Sequence, residues 1–243
     1  MHSTPRLDLA PMSADTIDAL LAGNVARLRS LTGAEFVAPV GPPPYMEESL
    51  PVVRNRLRER PAEMAWWNWL VVRRDNRHAV GSVAFAGPPD AAGAVLIGYA
   101  MYPEREGSGY ATEATRAMVE WAFEQPGVRV VRVLAPVWNT PAVHVAEKVG
   151  LRPVGSYEDD EVGEVLVYET GRKYLDVGTS PPPVRQPLDS RNQQQEKEAG
   201  DDRRDHEQQE EVRPPSEHMV DLAPLHCLDG SRHVSPQEAR REE

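Results

Sequence analysis

Cysteine is nearly missing from this 243-residue chain, and the single one, Cys227, lies close to its end. An intrachain disulfide is therefore excluded, and a reducing, cytoplasmic setting is expected. No run of 18 or more apolar residues occurs, so no membrane-spanning helix is expected. The first thirty residues mix Arg6, Asp8, Asp15 and Asp18 into an amphipathic pattern unlike a secretory signal. Basic residues are also in deficit. With 27 Lys and Arg against 38 Asp and Glu, the net charge is −11 and no basic face is available for nucleic-acid phosphates. A cationic partner suits this balance better. His218, His226, Cys227 and His233 match no tight zinc spacing, so no metal is expected. Internal repeats are lacking as well.

Large apolar residues are present but unevenly spread. All 5 Trp and all 3 Phe fall before residue 172. The stretch "TSPPPVRQPLDSRNQQQEKEAGDDRRDHEQQEEVRPPSEH" beyond it cannot bury enough surface to offset its chain entropy. The expected organisation is one domain over 1–171, followed by an acidic, Pro/Gln-rich, disordered tail over 172–243. A domain of about 170 residues can build a single adequate core.

Within it, "RLDLAP" (6–11) alternates as a strand does. Ser13 is a plausible N-cap for a helix presenting Ile17, Leu20 and Leu21, and Val25 and Leu28 suggest a second helical piece. "APVGPPPY" (38–45) must be loop, because three consecutive prolines fit neither a helix nor a central strand. Leu50, Val53 and Leu57 give helical spacing through 47–60. Three extended runs, "WWNWLVV" (66–72), "AVGSVAFAG" (79–87) and "AVLIGYAMY" (94–102), are joined by short turn-rich segments as in an antiparallel meander. Ala111, Ala114, Met118, Trp121 and Ala122 then form a helical stripe, 128–136 is a strand, and 140–149 is a helix stopped by Gly150. Its Ala142, Val143, Ala146 and Val149 are expected to face inward, with His144 opposite and solvated. Two closing strands flank the acidic turn Asp159, Asp160, Glu161. The order reads β-α-α-β-β-β-α-β-α-β-β, an α+β fold with a mixed sheet and helices on both faces.

The segment "EREGSGYATEA" (104–114) sits where a strand ends and a helix begins. Free N–H groups in a first helical turn, with the macrodipole, attract anions. Gly107 and Gly109 permit positive φ and let backbone amides approach a pyrophosphate closely. A turn using glycine only for its conformation is the equal alternative on this pattern alone. A Walker A loop would need Lys after the second glycine, and a dinucleotide fingerprint would need a third glycine where Thr112 stands. Neither matches.

Residues 95–151, "VLIGYAMYPEREGSGYATEATRAMVEWAFEQPGVRVVRVLAPVWNTPAVHVAEKVGL", resemble the GNAT superfamily of acyl-CoA-dependent N-acetyltransferases, in particular its RimJ/RimL-like branch. "GYATEA", the "WAF" end of the helix and "N…EKVGL" recur in the family's order, and the strand order fits over roughly 5–170. The resemblance implies a GNAT-like, mostly antiparallel sheet with a splayed central strand. It implies acetyl-CoA as co-substrate, with Met101 and Tyr102 offering backbone groups to the pantetheine. The amides of Gly107, Ser108, Gly109, Tyr110 and Ala111 would face the pyrophosphate, Asn139 would contact the cofactor, and Arg105 would supply charge. It also implies an amine-bearing acceptor, direct transfer in a ternary complex, and compatibility with a homodimer.

Several positions depart from the family pattern. Glu106 stands where Gln or Arg is usual, Leu96 where a Glu base is frequent, Ala142 where Ser is common, and Ala146 where many members carry a Tyr acid. Tyr99 and Tyr102 are the substitute candidates for an acid, and strand alternation puts them on opposite sides. Glu47 and Glu48, or the acidic turn, are candidates for holding a cationic acceptor; the plainer accounts are helix-terminal charge for the former and a solvated hairpin, the favoured one, for the latter. A lysine amine of pKa ~10.4 must shed about 3 units at pH 7, a cost of about 4–5 kcal/mol, whereas an α-amine near ~7.8 costs about 1. A site without an evident base therefore points to a peptide α-amine or a weakly basic small amine. The alternatives are a non-catalytic acyl-CoA-binding protein and a nucleotide-binding module.

Overall fold

The computed structural model describes residues 1–37, 40–44 and 46–171. The expectations for the tail 172–243 lie outside the described residues. The chain begins with a short strand β1 (His2–Ser3) and β2 (Leu7–Pro11), in which buried Leu7 and Leu9 alternate with half-exposed neighbours. Pro11 closes β2. Ser13 caps α1 (Ala14–Leu21) by accepting from the Thr16 N–H at 3.2 Å. Asn24 caps α2 (Val25–Thr32) in the same way, and Gly33 ends it at φ 63°. Helix α3 (Ser49–Glu59) buries Leu50, Val53 and Leu57. There are thus three helices before the meander rather than the two in the order read from sequence.

The expected strand 66–72 begins late. Pro61 opens a 3₁₀ stretch, Pro61–Trp66, and β3 runs only over Asn68–Arg73. The bulk of the two tryptophans decides this: Trp67 turns into the helical layer of α1–α3, while Trp66 packs on the other aromatics. β4 (Ala79–Phe85) is buried along its whole length, as a strand covered on both faces must be. β5 (Ala94–Met101), α4 (Tyr110–Glu124), β6 (Val130–Pro136), α5 (Thr140–Val149), β7 (Arg152–Asp159) and β8 (Gly163–Gly171) complete the domain.

The strands form one sheet in the order β1-β2-β3-β4-β5-β6-β8-β7. Neighbours are antiparallel except β5 and β6, whose parallel pairing needs the crossover helix α4. This is the GNAT-like α+β arrangement expected from sequence. Helices α4 and α5 cover one face over Val83, Phe85, Val95, Ile97, Val131 and Val133; α1, α2 and α3 cover the other over Leu70, Val72 and Ala100. Trp121 of α4 sits among Trp66, Trp69 and Phe85, with ring centroids 5.1, 5.3 and 5.5 Å away.

The lower end of the β5–β6 pair is locked by backbone. The Gly93 carbonyl accepts from the N–H groups of Arg129 and Val130 at 2.7 and 3.2 Å. Gly93 has φ 81°, and a Cβ there would lie 2.4 Å from the Gly127 carbonyl oxygen. Only glycine permits so close an approach. Among the described residues no helix is long and apolar enough to cross a membrane.

Candidate functional site

β5 and β6 pair through Ala94, Val95 and Leu96, opposite Val130, Val131 and Arg132, and no further. Beyond Leu96, β5 stays paired with β4 as far as Met101, while β6 stays paired with β8 as far as Pro136. The two strands therefore diverge and leave a notch whose β5 edge, from Ile97 to Met101, has no strand partner on that side. Backbone N–H and C=O groups on such an edge are available to an extended ligand.

The loop at the top of β5 is shaped for an anion. Tyr102 is extended (φ −63°, ψ 140°), Pro103–Arg105 makes a 3₁₀ turn, and Gly107 and Gly109 take φ 68° and 75°. Glycine is required at both because left-handed backbone strains other residues. Gly109 caps α4 without any side-chain hydrogen bond, so the first amides of this 15-residue helix remain available. A Cβ on Gly107 would meet no protein atom within 4 Å, so the space beside the loop is open. Arg105 is half-buried, and its guanidinium makes no ion pair among the described residues. Glu106 is exposed, where a carboxylate need not confront a bound anion. These features fit a pyrophosphate.

A second set of contacts, which the sequence reading missed, anchors this helix start. Arg6 donates from Nη1 to the Ser108 carbonyl at 3.0 Å and pairs through Nε with Glu113 at 2.5 Å. Thr4 Oγ1 and the Arg6 N–H also donate to Glu113, at 2.6 and 2.9 Å. Burial pushes the Glu113 carboxyl up, but these hydrogen bonds and the Arg6 charge outweigh it and hold the pKa below its ordinary value. The guanidinium groups of Arg6 and Arg73 lie 5.0 and 5.8 Å from the Tyr110 ring centroid. The signal available in sequence was Glu113 itself, an acid in the first turn of a helix that begins with glycine.

On the other arm of the notch, Asn139 caps α5. It is 2% exposed, and its Oδ1 accepts from the Ala142 N–H at 3.0 Å. Tyr99 and Tyr102 project to opposite faces of the sheet, as alternation requires. The Tyr99 hydroxyl donates to the Ala142 carbonyl at 3.1 Å. The Tyr102 hydroxyl donates to the Gly41 carbonyl at 3.0 Å, and burial pushes its pKa up to about 12. Met101 is buried at the end of β5. Of the inward residues expected on α5, Ala146 and Val149 are buried, Ala142 and Val143 half-buried, and His144 exposed.

The other positions singled out from sequence lie as follows. Leu96 lies at the last paired position, opposite Arg132. Glu47 and Glu48 are exposed before α3. Asp159 Oδ1 accepts from the N–H groups of Glu161 and Val162 at 3.0 and 3.1 Å, so the acidic turn is held as a hairpin bend.

Residues 6–152 match the acetyltransferase (GNAT) domain family. An uncharacterised N-acetyltransferase, YjdG, of Bacillus subtilis (strain 168) is 28% identical over 103 residues, covering 42% of this chain and 61% of that protein. The chain thus aligns with about three fifths of that relative's length. Among solved structures, a GNAT-family acetyltransferase from Bacillus anthracis superposes with a TM-score of 0.50 at 20% identity, over 71% of this chain and 98% of its own. A chimera of the spermidine N-acetyltransferase SpeG from Vibrio cholerae and hSSAT gives 0.52 at 17% identity, over 70% and 99%. A proposed ribosomal-protein-serine acetyltransferase from Vibrio cholerae gives 0.50 at 19% identity, over 70% and 95%. At these identities the structural likeness shows the fold alone.

Proposed function

Because the chain belongs to the acetyltransferase (GNAT) domain family, we propose that it transfers an acetyl group from acetyl-CoA directly to a primary amine. The observation that carries this reading is the notch above Leu96, with the uncapped glycine loop at one arm and buried Asn139 at the other. In this reading the open β5 edge at Met101 receives the pantetheine; Tyr102, expected to share this role, has its N–H bonded to the Val80 carbonyl and its carbonyl to the Arg105 N–H, at 3.0 and 2.8 Å. The amides of Gly107, Ser108, Gly109, Tyr110 and Ala111 receive the pyrophosphate, aided by Arg105, and Asn139 contacts the cofactor from α5. Acetyl-CoA supplies a thioester: the amine attacks its carbonyl, the C–N bond forms as the C–S bond breaks, and the amine's proton passes to the leaving thiolate.

The chain's own part is to bind, orient and exclude water. Tyr102 is a poor acid near neutrality, since its buried hydroxyl is held by Gly41 and its pKa stands at about 12. With Leu96 and Ala146 in place of a carboxylate and a phenol, an acceptor that is already largely neutral suits the site best. A peptide α-amine, as in a RimJ/RimL-like acceptor, or a weakly basic small amine meets that need, and the cytoplasm supplies both. A polyamine, the substrate named for the Vibrio cholerae relative, would have to shed a proton of lysine-like affinity.

The same missing acid and base support a second reading, a non-catalytic acyl-CoA-binding protein. Thiol release from acetyl-CoA, measured with peptides, free lysine and spermidine, separates the two. Turnover with peptide α-amines well above that with lysine side chains is expected. Tight coenzyme A binding without thiol release from any amine would favour the second reading, and faster lysine acetylation would overturn the acceptor class.

A further inference from the structure

Below Leu96 a backbone ladder fixes the distance between β5 and β6; above it the ladder is absent. Something else must set how far the notch opens. Tyr99 lies three residues past the last pair, on the face of β5 that also carries Val95, Ile97 and Met101 into the core beneath α4 and α5. Its hydroxyl reaches α5, the helix that continues from β6, and donates to the Ala142 carbonyl at 3.1 Å. The Ala142 N–H is simultaneously held by Asn139 Oδ1 at 3.0 Å. Both backbone groups of one first-turn residue are therefore fixed, one from each arm. A carbonyl oxygen has two lone pairs, so Ala142 accepts from Tyr99 without giving up its place in the helix.

We propose that Tyr99 is a positioning residue whose hydroxyl straps the first turn of α5, and with it Asn139, at a set distance from the open edge of β5. The inference rests on the acetyl-CoA reading of the notch, and assigns Tyr99 a role other than that of general acid. Its proton is committed to a carbonyl on the opposite arm, and the ring packs against the core cluster rather than standing free. Strapping the arms keeps the notch at one width before the ligand arrives, so less ordering is left to binding.

Tyr99→Phe keeps the ring and removes the hydroxyl that makes the strap. Loss of one neutral hydrogen bond predicts a rise of about 5-fold in KM for acetyl-CoA and in the calorimetric Kd for coenzyme A, with kcat changed less than about twofold. The alkaline limb of the kcat pH profile stays where it is. Amide hydrogen exchange in the unliganded protein rises several-fold in the first two turns of α5 and is unchanged in α4. A fall of about 100-fold in kcat, or a displaced alkaline limb, would establish a general acid and overturn the strap. Unchanged exchange in α5 would also overturn it. If the wild-type protein binds no coenzyme A, the acetyl-CoA reading fails, while the exchange comparison still decides whether the strap holds α5.

Discussion

The two ends of the β5–β6 pair are built on different principles. At the closed end, the Gly93 carbonyl takes two backbone N–H groups, and the Gly127 carbonyl presses where a side chain would stand. At the open end the ladder stops after Leu96, and side chains take over: Tyr99 and Asn139, both acting on Ala142. The difference teaches where rigidity is spent. Backbone contacts that admit no substitution form the hinge, and exchangeable side-chain contacts set the mouth.

The sharpest way to break this contrast is at the hinge. Gly93→Ala places a Cβ 2.4 Å from a carbonyl oxygen at a left-handed φ of 81°. Overpacking and backbone strain together should lower unfolding stability by about 3 kcal/mol or more, read by denaturant titration. A cost below about 1 kcal/mol would show that the closed end relaxes freely.

At the mouth, Asn139→Ala removes the α5 cap and should cost about 1 kcal/mol, with a larger relative loss in coenzyme A affinity. Equal affinity in the variant would remove Asn139 from the cofactor site.

A third change tests the anchor of α4. The folded pKa of Glu113 is lowered, so its contribution to stability is complete above the ordinary carboxylate range and is lost as pH falls through the folded value. Glu113→Gln should therefore be less stable than the wild type at pH 7, and the gap should shrink as the pH falls below the ordinary carboxylate range in paired denaturation curves. A gap that stays constant with pH would mean that packing, not charge, holds the helix start.

The smallest effect is expected at Glu106, which is exposed. Removing its charge beside the glycine loop, proposed to hold the pyrophosphate, with Glu106→Gln should tighten coenzyme A binding about twofold, given solvent screening. Weaker binding would show that the loop's register differs from the one assigned.

The same contrast explains what was legible in the sequence. Gly107, Gly109 and Asn139 announce a backbone shape directly, because few other residues satisfy a left-handed turn or a helix cap, and the structure places all three as that shape requires. Period-two burial made β2 readable, and helical spacing made α3 and α4 readable. Trp66 and Trp67 misled because aromatic residues favour strands, whereas here the 3₁₀ stretch that Pro61 opens takes Trp66 and the packing of Trp67 into the helical layer makes β3 begin late. Arg6 and Glu113 are separated by 107 positions, and Tyr99 and Ala142 by 43, so no local pattern reveals either contact. The splay of β5 was expected from the family resemblance, but the residue at which it leaves β6 was not legible, since pairing depends on the partner's path and not on β5 alone.

The ring cluster around Trp121 has a practical side. The indoles of Trp66 and Trp69 each stand edge-on to Trp121, with centroids 5.1 and 5.3 Å away, a fixed asymmetric setting expected to contribute to the aromatic circular dichroism and to lose that contribution if the rings separate. Trp121 belongs to the helix that follows directly on the glycine loop, whereas Trp66 and Trp69 belong to the sheet side. Aromatic dichroism is therefore expected to report, without a label, whether α4 is docked.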